Sequence, residues 1–324
     1  MTEIKDAKNV RLFALNSNEP LAKSVADKIG LPLSKASVSH FADGEIKVTI
    51  DESVRGCETY VIQSVSDPVN TNLMELLIMV DALRRASAAK INVVMPYYGY
   101  ARQDRKARSR EPITAKLIAN LLEMDKIDRL ITIDLHAAQV QGFFDIPVDH
   151  LRATQLFAKH VEESQINGDD IVVVSPDHAG VSLARRFAEE IKAPIAIVDN
   201  RNDEVRERSN QTVPEYVIGD VKDKVAIIVD DIVDTGVRMS LSAKALQKFG
   251  AKEIYGVATH AVLSGNASQV LEDSPIKEMW VTDTINLPEE KKFDKLHRLS
   301  VADLLKEAIV RVHNHQSIQK LFEH

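Results

Sequence analysis

The fold of this chain is decided by the stretch Val225-Ala226-Ile227-Ile228-Val229-Asp230-Asp231-Ile232-Val233-Asp234-Thr235-Gly236. Its apolar, β-branched beginning, residues 225–229, predicts a buried strand that ends in two carboxylates. A short loop with a third carboxylate, a hydroxyl and a glycine follows. Residues 240–249 have the pattern of a helix, which Gly250 ends. The stretch therefore predicts a buried parallel strand, a loop and a helix in succession.

This unit is also where α/β proteins place their ligands. Backbone N–H groups at the start of the helix can hold a phosphate, and the neighbouring carboxylates can hold sugar hydroxyls or Mg²⁺. The alternative is a buried strand followed by solvated acids. Three acids within five residues, Asp230, Asp231 and Asp234, favour a sugar-phosphate site over that alternative.

The rest of the chain repeats the alternation of strand and helix, which predicts an α/β fold with mainly parallel sheets flanked by helices. The predicted strands are residues 10–15, 46–50, 59–64, 91–95, 130–135, 171–174, 195–198, 225–229, 254–259 and 279–282. Helices are predicted at residues 72–85, 114–122 and 181–191, where apolar side chains recur on one helical face.

Length and composition bound the class of protein. The 324 residues are enough for two domains, and 41 Lys and Arg against 48 Asp and Glu give a net charge of −7. This charge indicates neither nucleic acid nor an anionic membrane as partner. The single cysteine excludes an internal disulfide, and no signal peptide or membrane-spanning run is apparent. We expect a soluble cytoplasmic protein.

The domain boundary is predicted near residues 150–154. One domain then covers residues 1–152 and the other residues 153–299. Each contains a strand that leads through a loop with aspartate and proline into a helix. The last residues, 300–324, have an apolar helical pattern and are expected to pack back on the first domain.

Several other segments are candidates for binding. Residues 97–112 place five cationic side chains within nine residues beside three tyrosines, which favours a nucleotide-phosphate site over a solvated loop. His136 ends a strand and is either a metal or phosphate ligand or a structural histidine. Asp177 lies in a strand–loop–helix unit suited to Mg²⁺-bound phosphates.

The polar segment 199–212 is either an exposed loop or a lid over a site. Neither a P-loop nor a dinucleotide fingerprint occurs, so any ATP site is of another kind.

Together these motifs resemble the ribose-phosphate diphosphokinase family, also called phosphoribosyl pyrophosphate (PRPP) synthetases. The resemblance covers nearly the whole chain. It is densest in Arg55-Gly56, Gln63-Ser64 with Asp67-Pro68-Val69-Asn70, and residues 75–83, 96–113, 134–136 and 141–147.

The resemblance implies two phosphoribosyltransferase-like domains, dimers and hexamers, and pyrophosphate transfer from Mg·ATP to ribose 5-phosphate with release of AMP. It implies that ATP is bound by Asp43, Gly44 and Glu45 of a neighbouring subunit, with Phe41 beside the adenine, and by Arg102 and Gln103. It implies that Mg²⁺ is held by His136 and Asp177, and ribose 5-phosphate by Asp230, Asp234, Thr235, Gly236, Val237 and Arg238.

The chain departs from the family pattern at functional positions. A catalytic Lys and Arg of the family are replaced by Asn200 and Asn202, which bring no charge to a transfer that depends on charge neutralisation. Arg201, Arg206 or Arg208 could substitute for them. The sugar-phosphate loop ends in Val237-Arg238 instead of Gly-Thr, which is expected to distort the phosphate cradle while Arg238 restores affinity by direct contact.

Three functions therefore stay open. The first is a PRPP synthetase, active at a full or a reduced rate, that forms a homo-oligomer. The second is a catalytically impaired regulatory paralogue that binds nucleotide and associates with an active synthetase. The third, a sugar-phosphate-binding regulator, is the least favoured because no separate DNA-binding segment is apparent.

Overall fold

A computed structural model describes residues 4–164, 166, 170–199 and 216–321 of the chain. The chain divides into two compact units. One comprises Met1–Arg152, Thr284–Asn286 and Ser300–His324, and the other Ala153–Asp283 and Leu287–Leu299. None of the helices within the described ranges has both the length and the apolar composition needed to cross a membrane.

The first unit is built on a parallel sheet of five strands in its described part. The strands of this unit are β1 (Val10–Ala14), β2 (Ala36–His40), β3 (Ile46–Ile50), β4 (Glu58–Ile62), β5 (Lys90–Met95), β6 (Arg129–Ile133) and β7 (Val148–Leu151). The sheet order is β1-β4-β5-β6-β7, with every neighbouring pair parallel. Its first helices are α1 (Glu19–Ile29), α2 (Val69–Arg85) and α3 (Thr114–Met124).

The core of this unit follows from the apolar periodicity of its elements. Residues 91–95 of β5 are all buried, as expected for a central strand covered on both faces. Helix α2 buries Leu76, Met79 and Leu83 on one face, at the three- and four-residue spacing of a helix. The predicted helix 72–85 is therefore correct, and it begins earlier, at Val69.

The predicted strand 46–50 exists, but it is not part of the parallel sheet. It is β3, which pairs antiparallel with β2 in a separate hairpin. Both strands alternate half-buried and exposed side chains, and the half-buried ones pack against the core. The polar composition of β2 explains why the apolar pattern did not reveal it.

The second unit contains a sheet of seven strands within the described residues. Its strands are β8 (Ile171–Ser175), β9 (Ile195–Asp199), β10 (Tyr216–Ile218), β11 (Val225–Val233), β12 (Glu253–Ala261), β13 (Glu278–Thr282) and β14 (Leu296–Leu299), in the order β10-β9-β8-β11-β12-β13-β14. All pairs are parallel except β9 with the edge strand β10. The helices are α4 (Thr154–Glu163), α5 (Val181–Ile191), α6 (Val237–Lys248) and α7 (Ala267–Glu272). The α/β fold class with parallel sheets is thus confirmed.

The final helix, α8 (Ala302–His313), belongs to the first unit, where it packs against α1. Lys28 of α1 forms an ion pair of 2.8 Å with Asp303 at the start of α8. At the other end of α8, the His313 ring lies 2.8 Å from Glu58 of β4. The C-terminal helix is therefore attached to the first unit at both of its ends.

Candidate functional site

Strand β11 continues past the two carboxylates that were expected to end it. Asp230 pairs with Ala258 of β12 and Ile232 with His260, so the ladder runs to Val233. Asp230 is consequently a strand residue, only 9% exposed. The prediction of a strand 225–229 was therefore too short, because the acid pair interrupted an apolar pattern that Ile232 and Val233 resume.

The loop from Asp234 to Gly236 leads directly into helix α6, which begins at Val237 and not at residue 240 as predicted. Gly236 has φ 73°, and a Cβ there would lie 3.0 Å from Leu271 Cγ, so both the backbone and the space favour glycine. Ser240 N–H donates to Gly236 O (2.9 Å), which closes the first helical turn. The β-branched Val237 is thus accommodated within a regular helix start, contrary to the expected distortion.

A small pocket of ≈ 40 Å³ lies where this strand, loop and helix meet. It is lined by Asp230, Ile232, Val233, Asp234, Thr235, Gly236, Arg238 and Met239. The pocket combines carboxylates, a hydroxyl and a helix N-terminus. This is the combination needed to hold both the hydroxyls and the phosphate of a sugar phosphate.

Arg238, in the first turn of α6, bridges two carboxylates of the site. Its Nη1 lies 2.6 Å from Asp177 Oδ2, and its Nη2 lies 3.5 Å from Asp230 Oδ2. The guanidinium is half-exposed, whereas both carboxylates are largely buried. The expected direct role of Arg238 at a phosphate is therefore joined by one that the sequence did not indicate, the neutralisation of two aspartates.

The charges of this cluster shift one another. Burial raises the pKa of Asp230 to about 8, which Arg238 opposes by attraction and Asp231 reinforces by repulsion. The pKa of Arg238 is raised: burial acts against this, but the attraction of Asp230 and Asp177 outweighs it. Burial thus disfavours the charged form of Asp230, and the neighbouring guanidinium favours it.

Asp177 is held by the turn that follows β8. Its Oδ1 accepts the N–H of Gly180 (2.9 Å), and the Ser175 hydroxyl donates to the Asp177 carbonyl (2.6 Å). A Cβ at position 180 would lie 2.9 Å from Ser175 Oγ, so the turn favours a glycine there. These contacts fix Asp177 at the carboxyl end of β8, beside β11.

In the first unit, His136 follows β6 and is exposed. The preceding backbone is unusual, since Asp134 has φ 38°, a left-handed conformation that is uncommon outside glycine. The buried ring of His150 accepts the Leu135 N–H through Nε2 (2.8 Å). His150 therefore supports the loop that carries His136, a role that sequence reasoning missed because His150 lies on a separate strand.

Arg102 and Gln103 lie in the loop between β5 and α3. The side-chain oxygen of Gln103 accepts a hydrogen bond from the Thr114 hydroxyl (2.5 Å), and the backbone carbonyl of Gln103 accepts one from the Ala115 N–H (3.1 Å). These two bonds tie the loop to the start of α3. Gln139, just after His136, donates to Asp104 (2.8 Å). The loops after β5 and β6 are thus brought together at one edge of the sheet.

The turn 41–45 connects β2 and β3. Phe41 N–H donates to Glu45 O (2.8 Å), Gly44 has φ 95°, and the Asp43 carboxylate accepts the Glu45 N–H (3.1 Å). The Phe41 side chain is 53% exposed at this ordered turn. An exposed aromatic ring on a fixed backbone is suited to stacking on a planar ligand.

The residues present fit Mg²⁺ held partly by substrate. Among the described residues, no three His, Cys, Asp or Glu side chains form a group that could hold a metal ion. Mg²⁺ is commonly bound by one or two carboxylates together with substrate phosphates, and Asp177 provides such a carboxylate. Asn200 and Asn202, with Arg201, Arg206 and Arg208, lie outside the described residues.

Comparison with known proteins agrees with this arrangement. The family model for the N-terminal domain of ribose phosphate pyrophosphokinase matches residues 10–125, and that for the phosphoribosyl synthetase-associated domain matches residues 203–323. The chain is 58% identical to ribose-phosphate pyrophosphokinase 1 of Listeria innocua, over 97% of each chain. It is 56% identical to ribose-phosphate pyrophosphokinase of Bacillus subtilis, over 97% of this chain and 98% of the relative.

A solved structure gives the same result. The crystal structure of phosphoribosylpyrophosphate synthetase from Mycobacterium smegmatis is 42% identical and superposes with a TM-score of 0.89, covering 95% of this chain and 99% of the other. Identity at this level over nearly the whole length, in sequence and in fold, shows that the chain belongs to the ribose-phosphate pyrophosphokinase family.

Proposed function

We propose that this chain transfers the pyrophosphoryl group of Mg·ATP to the anomeric hydroxyl of ribose 5-phosphate, giving PRPP and AMP in the cytoplasm. The observation that carries the proposal is the identity of 58% over 97% of both chains with a relative named for this activity. The acidic pocket at a helix N-terminus in the second unit supports the same conclusion. We further propose that the two compact units correspond to the two phosphoribosyltransferase-like domains.

Ribose 5-phosphate would bind in the pocket of the second unit. The backbone N–H groups between Thr235 and Arg238 would hold the phosphate at the positive end of α6. The carboxylates of Asp230 and Asp234 would accept hydrogen bonds from the ribose hydroxyls. This arrangement would leave the anomeric hydroxyl directed away from the phosphate loop. Its oxygen would bond to the β-phosphorus of ATP and lose its proton to water, while the bond between that phosphorus and the bridging oxygen breaks and AMP leaves.

ATP would bind to residues of the first unit. Phe41 would stack on the adenine, and Asp43, Gly44 and Glu45 would contact the nucleotide of a neighbouring copy of the chain, so the site requires a homo-oligomer built from dimers. Arg102 and Gln103 would bind its phosphates, for which the fixed position of Gln103 at the start of α3 is favourable. His136 and Asp177 are proposed as Mg²⁺ ligands; the bound ion would neutralise charge on the phosphates.

A second candidate is a regulatory paralogue that binds nucleotide and associates with an active synthetase. Two observations favour it: Asn200 and Asn202 carry no charge, and the Arg238 guanidinium is paired with Asp177 and Asp230. Loss of a cation at a phosphoryl-transfer site costs about 10³–10⁵ in rate in comparable enzymes. Slow or absent turnover is the result that this candidate requires.

The deciding experiment measures AMP release from the purified chain with ribose 5-phosphate and Mg·ATP. Steady turnover would rule out the regulatory candidate as the sole function. The double change Asn200→Lys with Asn202→Arg is expected to raise the rate by at least about 10²-fold if the missing charges limit it. The matched control changes Asn210→Lys, a polar position of the same segment. No turnover by the unmodified chain and none by the double variant would contradict the proposed activity. The regulatory candidate would then require that the chain changes the rate of an active synthetase added to it.

A further inference from the structure

We infer that Arg238 is a built-in counter-cation that competes with Mg²⁺ for Asp177 and Asp230. The inference deepens the proposed function and rests on its assignment of these carboxylates to the site of Mg²⁺ and ribose 5-phosphate. Its starting point is geometric. One guanidinium group bridges the outward oxygens of Asp230 in β11 and of Asp177 in the turn after β8, at 3.5 and 2.6 Å.

The other oxygen of each carboxylate is already occupied by backbone. Asp177 Oδ1 accepts the N–H of Gly180 (2.9 Å), and Asp230 Oδ1 accepts the N–H of Asp231 (3.0 Å). Each carboxylate therefore offers Oδ2 as its outward ligand atom, and in both cases that atom faces Arg238. A divalent cation that binds either Oδ2 must displace the guanidinium or share the site with it.

Sharing is costly because of charge. Two partly buried carboxylates attract a cation strongly, and a guanidinium beside them cancels much of that attraction at distances of about 4 Å. The planar fork of Arg is also well suited to bridging two oxygens, which a single-point ammonium group does less well. Arg238 therefore lowers the affinity of the free site for a divalent cation.

The position of Arg238 in the chain gives the displaced group a second partner. It lies in the first helical turn of α6, next to the backbone N–H groups proposed to hold the 5-phosphate. A bound phosphate would attract the guanidinium away from the carboxylates and free both Oδ2 atoms. Binding of the sugar phosphate would thereby favour binding of the metal, and by reciprocity the metal would favour the sugar phosphate.

The test measures binding of Mn²⁺, as a paramagnetic substitute for Mg²⁺, to the full chain without substrates, by the electron paramagnetic resonance signal of the free ion. Arg238→Gln is expected to bind Mn²⁺ at least about tenfold more tightly than the unmodified chain, and Arg238→Lys to lie between them. Lys244→Gln, which removes an exposed charge from the middle of the same helix, is the matched control and is expected to change affinity less than twofold.

Adding Asp177→Asn to Arg238→Gln is expected to abolish the increase in Mn²⁺ affinity. That loss would show that the additional Mn²⁺ affinity arises at this site. Equal or weaker Mn²⁺ binding by Arg238→Gln and Arg238→Lys would overturn the inference, and so would a gain that persists in the double variant. Because binding is measured without turnover, the result is separate from that of the AMP-release assay. If the unmodified chain makes PRPP but Arg238→Gln does not bind Mn²⁺ more tightly, the counter-cation role of Arg238 is disproved and the proposed activity stands.

Discussion

Gly99→Ala tests how closely the loops of the first unit are packed. Gly99 follows β5, and a Cβ at this position would lie 2.4 Å from the Val65 carbonyl oxygen and 2.5 Å from Val65 Cγ1. Val65 is fully buried, and its N–H donates to the Tyr97 carbonyl (3.0 Å). No change of rotamer can relieve a clash with a backbone oxygen, so one of the two loops must move.

The cost can be estimated from this geometry. Overpacking a buried site typically costs 1–3 kcal/mol, and a clash with backbone belongs at the upper end, about 3 kcal/mol. For a unit of this size, each kcal/mol lowers the thermal midpoint by roughly 2–4 °C, so the midpoint should fall by about 6–12 °C. One of these two loops carries Arg102 and Gln103. We therefore expect the KM for ATP to rise at least about threefold, while the KM for ribose 5-phosphate is unchanged.

The assay combines thermal unfolding with initial rates at varied ATP. Gly142→Ala is the matched control, because a Cβ at Gly142 meets no atom within 4 Å and its φ is not positive. This control should leave the midpoint unchanged or raise it slightly, since alanine restricts the unfolded chain. Equal midpoints for the two variants would refute the reasoning from close backbone approach.

Other positions give further predictions. Burial raises the pKa of Glu58, but its hydrogen bonds, including the one with His313, outweigh burial, so the net pKa in the folded chain is lowered. The ionised Glu58 therefore stabilises the fold above pH 4.5, and this stabilisation is lost as the pH falls through the lowered pKa. The unfolding free energy of Glu58→Gln should therefore decline less on acidification, as denaturant titrations would measure. Gly236→Ala should cost about 2 kcal/mol in the same assay and weaken ribose 5-phosphate binding measured by calorimetry, since φ is 73°. Arg129→Met should cost about 3 kcal/mol by removing the 2.7 Å partner of buried Asp149, and Asp149→Asn added to it should restore part of the loss.

The amount of the fold that sequence could predict depended on how apolar each element is. Strands that are buried on both faces, such as β5 and β12, were found with ends correct to within about two residues. Strands β2, β7, β10 and β14 were missed. The last three have four residues or fewer and lie at sheet edges, and β2 is polar and half-exposed. An edge strand needs only one apolar face, so its pattern resembles that of a loop.

At the candidate site, what the sequence could not predict was missed for a different reason. The motifs singled out Asp177, Asp230 and the loop after Val233 as candidates because those signals are local. The ion pairs of Arg238 could not be found in this way, because Asp177 lies 61 residues away and meets Arg238 only because β8 and β11 are neighbours in the sheet.

The same contacts change how the altered loop should be interpreted. Considered alone, Val237 suggested a distorted cradle and Arg238 a replacement phosphate ligand. In the fold, Val237 begins a regular helix, and the left-handed conformation that the turn needs is provided by Gly236. The proposed phosphate cradle can therefore persist, and the difference from the family pattern that we expect to matter is the charge that Arg238 places between two carboxylates. The site differs from a simple acidic pocket in its electrostatics more than in its shape, and measurements of cation affinity should reveal this difference more directly than measurements of sugar-phosphate affinity.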